Sequence, residues 1–206
     1  MSLARLPGPL LLITDRKQAR KPLLEIIEAA CLGGCRWVSV REKDLPAEER
    51  LALVHEIMPL VHGFGGTLLV HEDVEAAKYA HGVHLPAGAN VARARERLGE
   101  KHIIGLSCHT LADVMNARGA DYVTLGPFAP TPSKPGYMPT FGPEVLEKAT
   151  TYGVPVLALG GVDEMNARDL KRAGAAGLAM MGSVMRSENP GAFVRRMLEI
   201  WEANSP

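Results

Sequence analysis

Pro155-Val-Leu-Ala-Leu-Gly-Gly-Val-Asp-Glu-Met-Asn-Ala-Arg-Asp-Leu-Lys-Arg-Ala-Gly-Ala-Ala-Gly-Leu-Ala-Met-Met-Gly-Ser183 contains one complete repeat of the pattern that decides the fold. Residues 155–159 are a short apolar run of strand length, closed by Gly160-Gly161. Residues 164–173 read as a helix, and residues 177–181 as a second apolar strand, ending at Gly182-Ser183. Two buried strands joined through a helix lie parallel, with a right-handed crossover.

The same alternation extends in both directions. Towards the N-terminus, strands are predicted at residues 10–15, 37–42, 67–72, 82–85, 103–108 and 122–125, and helices at 22–32, 46–61, 74–80, 90–98, 110–118 and 142–151. A last helix is predicted at 190–203. Leu23, Leu24, Ile27 and Ala30 share one face of the first helix, and Gly33-Gly34 stop it. Asn90 and Thr110 stand where side chains cap a helix start. Eight strand–helix units in 206 residues predict an α/β fold, a (β/α)8 TIM barrel forming a single domain over residues 1–206. A doubly wound open sheet shares this periodicity. No Gly-x-Gly-x-x-Gly follows the first strand, which weighs against dinucleotide binding.

Composition narrows the function classes. The chain carries 23 basic and 23 acidic side chains, so neither nucleic acid nor an anionic membrane is expected as the main partner. No apolar run approaches membrane-spanning length, and the one at residues 10–13 is too short for a signal-peptide core. Three cysteines make no disulfide framework, and Cys31 and Cys35 have no second pair to complete a metal site. A reduced, cytoplasmic setting is expected.

A barrel carries its chemistry at the carboxyl ends of its strands. Those ends offer Thr14-Asp15, Arg41-Glu42-Lys43, His71-Glu72-Asp73, His84, Ser107-Cys108-His109, a long loop after residue 125, Gly160-Gly161 and Gly182-Ser183. The backbone N–H groups of the last two turns suit a phosphate. Arg41, Lys43 and Lys134 form a second, cationic group suited to a diphosphate; strand alternation turns Arg41 and Lys43 the same way. The loop to Gly142 is dense in proline and carries Thr131, Ser133 and Lys134, a set of donors for phosphate or else a solvated lid. His71, His84 and His109 are candidate proton carriers or hydrogen-bonded structural residues. Adjacent residues of a strand face opposite ways, so a Cys108–His109 nucleophilic pair is not expected.

Taken together, Leu12-Ile-Thr-Asp15, Val40-Arg-Glu-Lys43, Gly82-Val-His-Leu85, Ile104-Gly-Leu-Ser107, Ala120-Asp-Tyr-Val123, Gly126-Pro-Phe128 with Pro130-Thr-Pro-Ser-Lys134, Ala158-Leu-Gly-Gly-Val162 and the Gly-Ala-x-Gly-x-Ala at residues 174–179 resemble the thiamine-phosphate synthase and TenI family over nearly the whole chain. The resemblance implies a (β/α)8 barrel acting in thiamine biosynthesis on small phosphorylated substrates. In the synthase a pyrimidine diphosphate loses pyrophosphate and a thiazole phosphate captures the resulting cation. Carried over, Arg41, Lys43 and Lys134 would hold the diphosphate, Thr131 and Ser133 would lie on the substrate loop, Gly161, Gly182 and Ser183 would bind the thiazole phosphate, and Ser107 would line the site.

The chain departs from the synthase pattern at three places. Ser39 replaces Gln, His71-Glu72 replaces Asn-Asp, and Ala89 stands near the second of two aspartates that hold Mg²⁺. Glu72 keeps a carboxylate for Mg²⁺, whereas Ala89 offers none. The segment Leu85-Pro-Ala-Gly-Ala89 is nearer the TenI branch, whose members isomerise the thiazole, yet the histidine that branch uses after the sixth strand is Pro127 here. Three readings follow: a synthase, a thiazole phosphate tautomerase using His71, His84 or His109, and a non-catalytic binder. Association into a homo-oligomer stays open.

Overall fold

The computed structural model describes residues 6–130 and 140–203. Eight parallel strands close into a barrel in chain order: β1 (Leu10–Ile13), β2 (Trp37–Val40), β3 (Thr67–His71), β4 (Gly82–Leu85), β5 (Ile103–Cys108), β6 (Tyr122–Leu125), β7 (Val156–Leu159) and β8 (Gly177–Met180). Closure comes from β8 pairing with β1, with Leu11 opposite Ala179. The helices are α1 (Leu23–Leu32), α2 (Ala47–Gly63), α3 (Val91–Leu98), α4 (Leu111–Met115), α5 (Pro143–Thr150), α6 (Ala167–Arg172), α7 (Gly182–Met185) and α8 (Pro190–Glu202). The open-sheet alternative is thereby excluded. No helix among the described residues is long and apolar enough to cross a membrane.

Each strand buries both faces, as parallel strands between helices must. Outward side chains such as Val38, Val40, Leu68, Val70, Ile104 and Leu106 pack under the helices in one large core. Inward side chains form a second cluster along the barrel axis: Leu11, Ile13, Trp37, Leu69, Tyr122, Leu157 and Ala179. Trp37 meets the Tyr122 ring edge-on, with centroids 4.7 Å apart. Above this apolar plug the inward positions turn polar, with Ser39, His84 and Thr124 all buried.

Two predicted helices shrink for identifiable reasons. The segment expected as a helix at 74–80 is a single 3₁₀ turn, Ala76–Tyr79. The Asp73 carboxylate accepts from the Glu75 and Ala76 N–H groups, and the next strand begins at Gly82, so no room remains for a second turn. Helix α6 starts at Ala167 because the Asp163 carboxylate holds the Met165 and Asn166 N–H groups in a turn. Asn90 and Thr110 do cap their helices, accepting from Arg93 N and Asp113 N. Cys31, Cys35 and Cys108 are free, buried thiols.

Candidate active site

A cavity of about 480 Å³ opens at the carboxyl ends of the strands. Arg41, Lys43, His71, Glu72, His84, Ser107, His109, Gly161, Gly182 and Ser183 all line it. Ala89 is not among its walls. Thr131, Ser133 and Lys134 lie outside the described residues.

The cationic wall is set by Glu42, which is 2% exposed. Its carboxylate accepts from the Arg16 backbone N–H at 3.1 Å and from the Arg16 guanidinium, which also forms a two-pronged pair with Asp44 at 2.7 Å. This brace ties the β2 end to the turn after β1. Thr14 Oγ1 takes the Arg41 N–H at 2.9 Å and reinforces it. With Glu42 fixed outward, Arg41 and Lys43 on either side face the cavity. Lys43 pairs with Glu72. Arg41 is half-buried; among the described residues its guanidinium reaches the Met181 sulfur, at 3.8 Å, and has no carboxylate partner. A guanidinium held this way is a standing anion site.

The opposite wall is backbone. Gly160 and Gly161 have φ of 87° and 66°, a region costly for residues with a side chain. A Cβ on Gly161 would also lie 2.4 Å from Ala129 Cβ. Both glycines thus hold open the turn after β7. Beside it run Gly182 and Ser183 after β8, and Arg186 one helical turn further, whose guanidinium bonds the Gln18 side chain. Arg186 was not foreseen from the sequence; its position one turn beyond Gly182-Ser183 was the available signal.

The floor is a set of uncharged polar groups. His71 and His84 are register neighbours on β3 and β4, with rings stacked 5.0 Å apart. His84 Nδ1 hydrogen-bonds the Tyr122 hydroxyl at 2.8 Å, and its Nε2 hydrogen-bonds Ser107 Oγ at 2.9 Å. Burial first, then the charges of Arg41 and Lys43, push the His84 pKa down to about 3. Burial, His84 and the same two cations push His71 down to about 2. Both imidazoles are therefore neutral at physiological pH. His71 Nδ1 is buried without a partner among the described residues, while its Nε2 lies 3.6 Å from Glu72 Oε1. His109 Nδ1 lies 3.3 Å from the Gly126 carbonyl. Cys108 is buried on the helix side of β5 and its thiol is pushed up to about 12 by desolvation, so it takes no part in the site.

For a divalent cation the donor set is poor. The Glu72 carboxylate is paired with Lys43, Asp73 with Arg50, and Glu75 with Lys78 and Arg97. No group of three His, Cys, Asp or Glu among the described residues could hold a metal.

Chemically, the cavity offers a cationic pole, a backbone pole with a second guanidinium, and between them a neutral, hydrogen-bonding floor. This suits two phosphorylated ends flanking an uncharged ring.

Comparison with known proteins gives a consistent result. Residues 10–184 match the model of the family described as thiamine monophosphate synthase. A Geobacter sulfurreducens protein provisionally named a thiamine-phosphate synthase is 41% identical over 205 residues, covering 96% of each chain. The thiamine-phosphate synthase of Roseiflexus sp. strain RS-1 is 37% identical over 197 residues, covering 92% of this chain and 84% of its own. The solved structure of thiamine phosphate pyrophosphorylase from Pyrococcus furiosus superposes with a TM-score of 0.86 at 29% identity, covering 96% of this chain and 97% of that one.

Proposed function

The chain belongs to the thiamine monophosphate synthase family, and from that membership and the geometry of the cavity we propose that it joins hydroxymethylpyrimidine diphosphate to thiazole phosphate, releasing pyrophosphate, as a single barrel domain. The observation that carries this reading is Arg41, a half-buried guanidinium facing the cavity with no carboxylate partner among the described residues.

In the reaction the bond between the pyrimidine methylene carbon and the diphosphate oxygen breaks, and the electron pair leaves with the diphosphate. The thiazole nitrogen then forms a bond to the methylene carbon. Arg41 and Lys43 stabilise the negative charge that develops on the leaving group, a role for which preorganised cations in a desolvated site are effective. Lys43 must exchange Glu72 for the diphosphate, whereas Arg41 has no carboxylate to release among the described residues. Lys134, on the segment outside the described residues, supplies a third positive charge, with Thr131 and Ser133 beside it. The turns at Gly160-Gly161 and Gly182-Ser183 cradle the thiazole phosphate. The described residues do not form a Mg²⁺ site, so no step is assigned to the metal.

The test is a coupled assay of purified protein with both substrates, run with Mg²⁺ and then with chelator, following pyrophosphate and thiamine phosphate together. Equimolar formation of the two products is expected. No product from folded protein overturns the reading. Aromatisation of thiazole phosphate alone would then identify a tautomerase, and saturable binding without turnover a binder.

A further inference from the structure

The buried side of the cavity floor holds a line of three polar groups: Tyr122 Oη, the His84 imidazole and Ser107 Oγ. Its two inner members are buried. Tyr122 is fully buried and His84 is 1% exposed, while Ser107 is half-buried on the cavity wall. We propose that Tyr122 and His84 are positioning residues that fix the direction of this hydrogen-bond chain, so that Ser107 presents its hydroxyl proton to an acceptor atom of the bound substrate.

The argument is one of proton counting. Among the described residues the Tyr122 hydroxyl has a single hydrogen-bond partner, His84 Nδ1, at 2.8 Å. A buried phenol proton left without an acceptor is costly, so Tyr122 donates and Nδ1 accepts. A neutral imidazole that accepts at Nδ1 carries its proton on Nε2. That Nε2–H points at Ser107 Oγ, 2.9 Å away, and takes one of its two lone pairs, so Ser107 cannot donate to the imidazole. The Ser107 proton is then turned towards the cavity. In the reverse direction Ser107 Oγ at 2.9 Å, or Thr124 Oγ1 at 3.5 Å, would donate to Nε2, but Nδ1–H would then point at Tyr122 Oη and leave the buried Tyr122 proton without an acceptor among the described residues.

A nucleophilic serine is a different outcome of the same residues, and the surroundings oppose it. That role requires His84 to take up the serine proton. Burial and the neighbouring Arg41 and Lys43 disfavour the imidazolium, and the group behind Nδ1 is a phenol rather than a carboxylate. The chain therefore works as a neutral donor relay. The identity of the acceptor's carrier rests on the synthase reading; the direction of the relay does not.

The experiment is ¹⁵N NMR of the full-length, histidine-labelled protein at neutral pH, with His84→Gln used to assign the His84 signals, alongside steady-state kinetics. A protonated Nε2 and a bare Nδ1 at His84 are expected. Tyr122→Phe should shift His84 towards a mixture of tautomers and lower kcat/KM about tenfold, the scale of one neutral hydrogen bond. His84→Gln, whose amide N–H can stand in for Nε2–H, should retain more activity than His84→Leu. A proton on Nδ1 in the wild type, or unchanged kcat/KM in Tyr122→Phe, overturns the proposal. If the wild type makes no product, the synthase reading falls, and the wild-type tautomer alone decides the relay.

Discussion

Gly105 and Tyr122 are register partners on β5 and β6, and a Cβ on Gly105 would lie 2.2 Å from Tyr122 Cζ. The missing side chain on one strand makes room for the ring that the next strand sends into the barrel. Gly105→Ala should force the ring aside and destabilise the fold by about 1–3 kcal/mol, the usual cost of overpacking. Urea unfolding measures this, and a stability equal to wild type would count against the packing described here.

Gly161 is constrained twice, by a φ of 66° and by the Ala129 Cβ 2.4 Å from where its own would be. Gly161→Ala should therefore reshape the turn after β7. Thiazole phosphate binding is expected to weaken at least tenfold in calorimetry, with little change at the cationic pole.

Arg41 is expected to act at bond cleavage. Arg41→Ala should lower kcat by about 10²–10³-fold, the range for removing one preorganised donor to developing charge. Arg41→Lys should recover only part of that, because an ammonium lacks the forked donor geometry. Lys43→Ala should cost less, since wild-type Lys43 must first leave Glu72. Equal losses at the two positions would contradict this ordering.

Acid stability should bear the mark of the two floor histidines. Both have folded pKa values well below the ordinary 6.5, so the unfolded chain binds protons first as pH falls. Their contribution is complete above about pH 6.5 and is lost progressively below it, by up to about 1.4 kcal/mol per pH unit for each histidine. Unfolding free energies from pH 7 down to pH 4 test this, and His71→Asn should flatten the curve.

The barrel was legible in the sequence because parallel strands bury both faces and so appear as short apolar runs between amphipathic stretches. Reading the strand ends then brought Arg41, Lys43, His71, His84, Ser107, His109 and the glycine turns to one cavity. What escaped lies between or beyond the strand ends. Tyr122 is 38 residues from His84, and as a β-former in an apolar run it gave no sign that its hydroxyl had a task. Arg186 lines the site one helical turn beyond Gly182-Ser183, past the strand end at which the reading stopped. The helix expected at 74–80 failed for a local reason, since Asp73 caps a turn too close to β4.

The inward polar layer has a consequence for anyone seeking a hardier variant. Trp37 Nε1, Ser39 Oγ and His71 Nδ1 are buried with no protein partner among the described residues, and burying a polar group without such a partner is less favourable than burying an apolar one of the same shape. Thermal selection without a demand for turnover should therefore find its easiest gains beneath the cavity, at Ser39 and His71, by making them apolar. A library ranked by melting temperature would drift towards an inert barrel, and only a screen that also scores turnover would keep the floor polar.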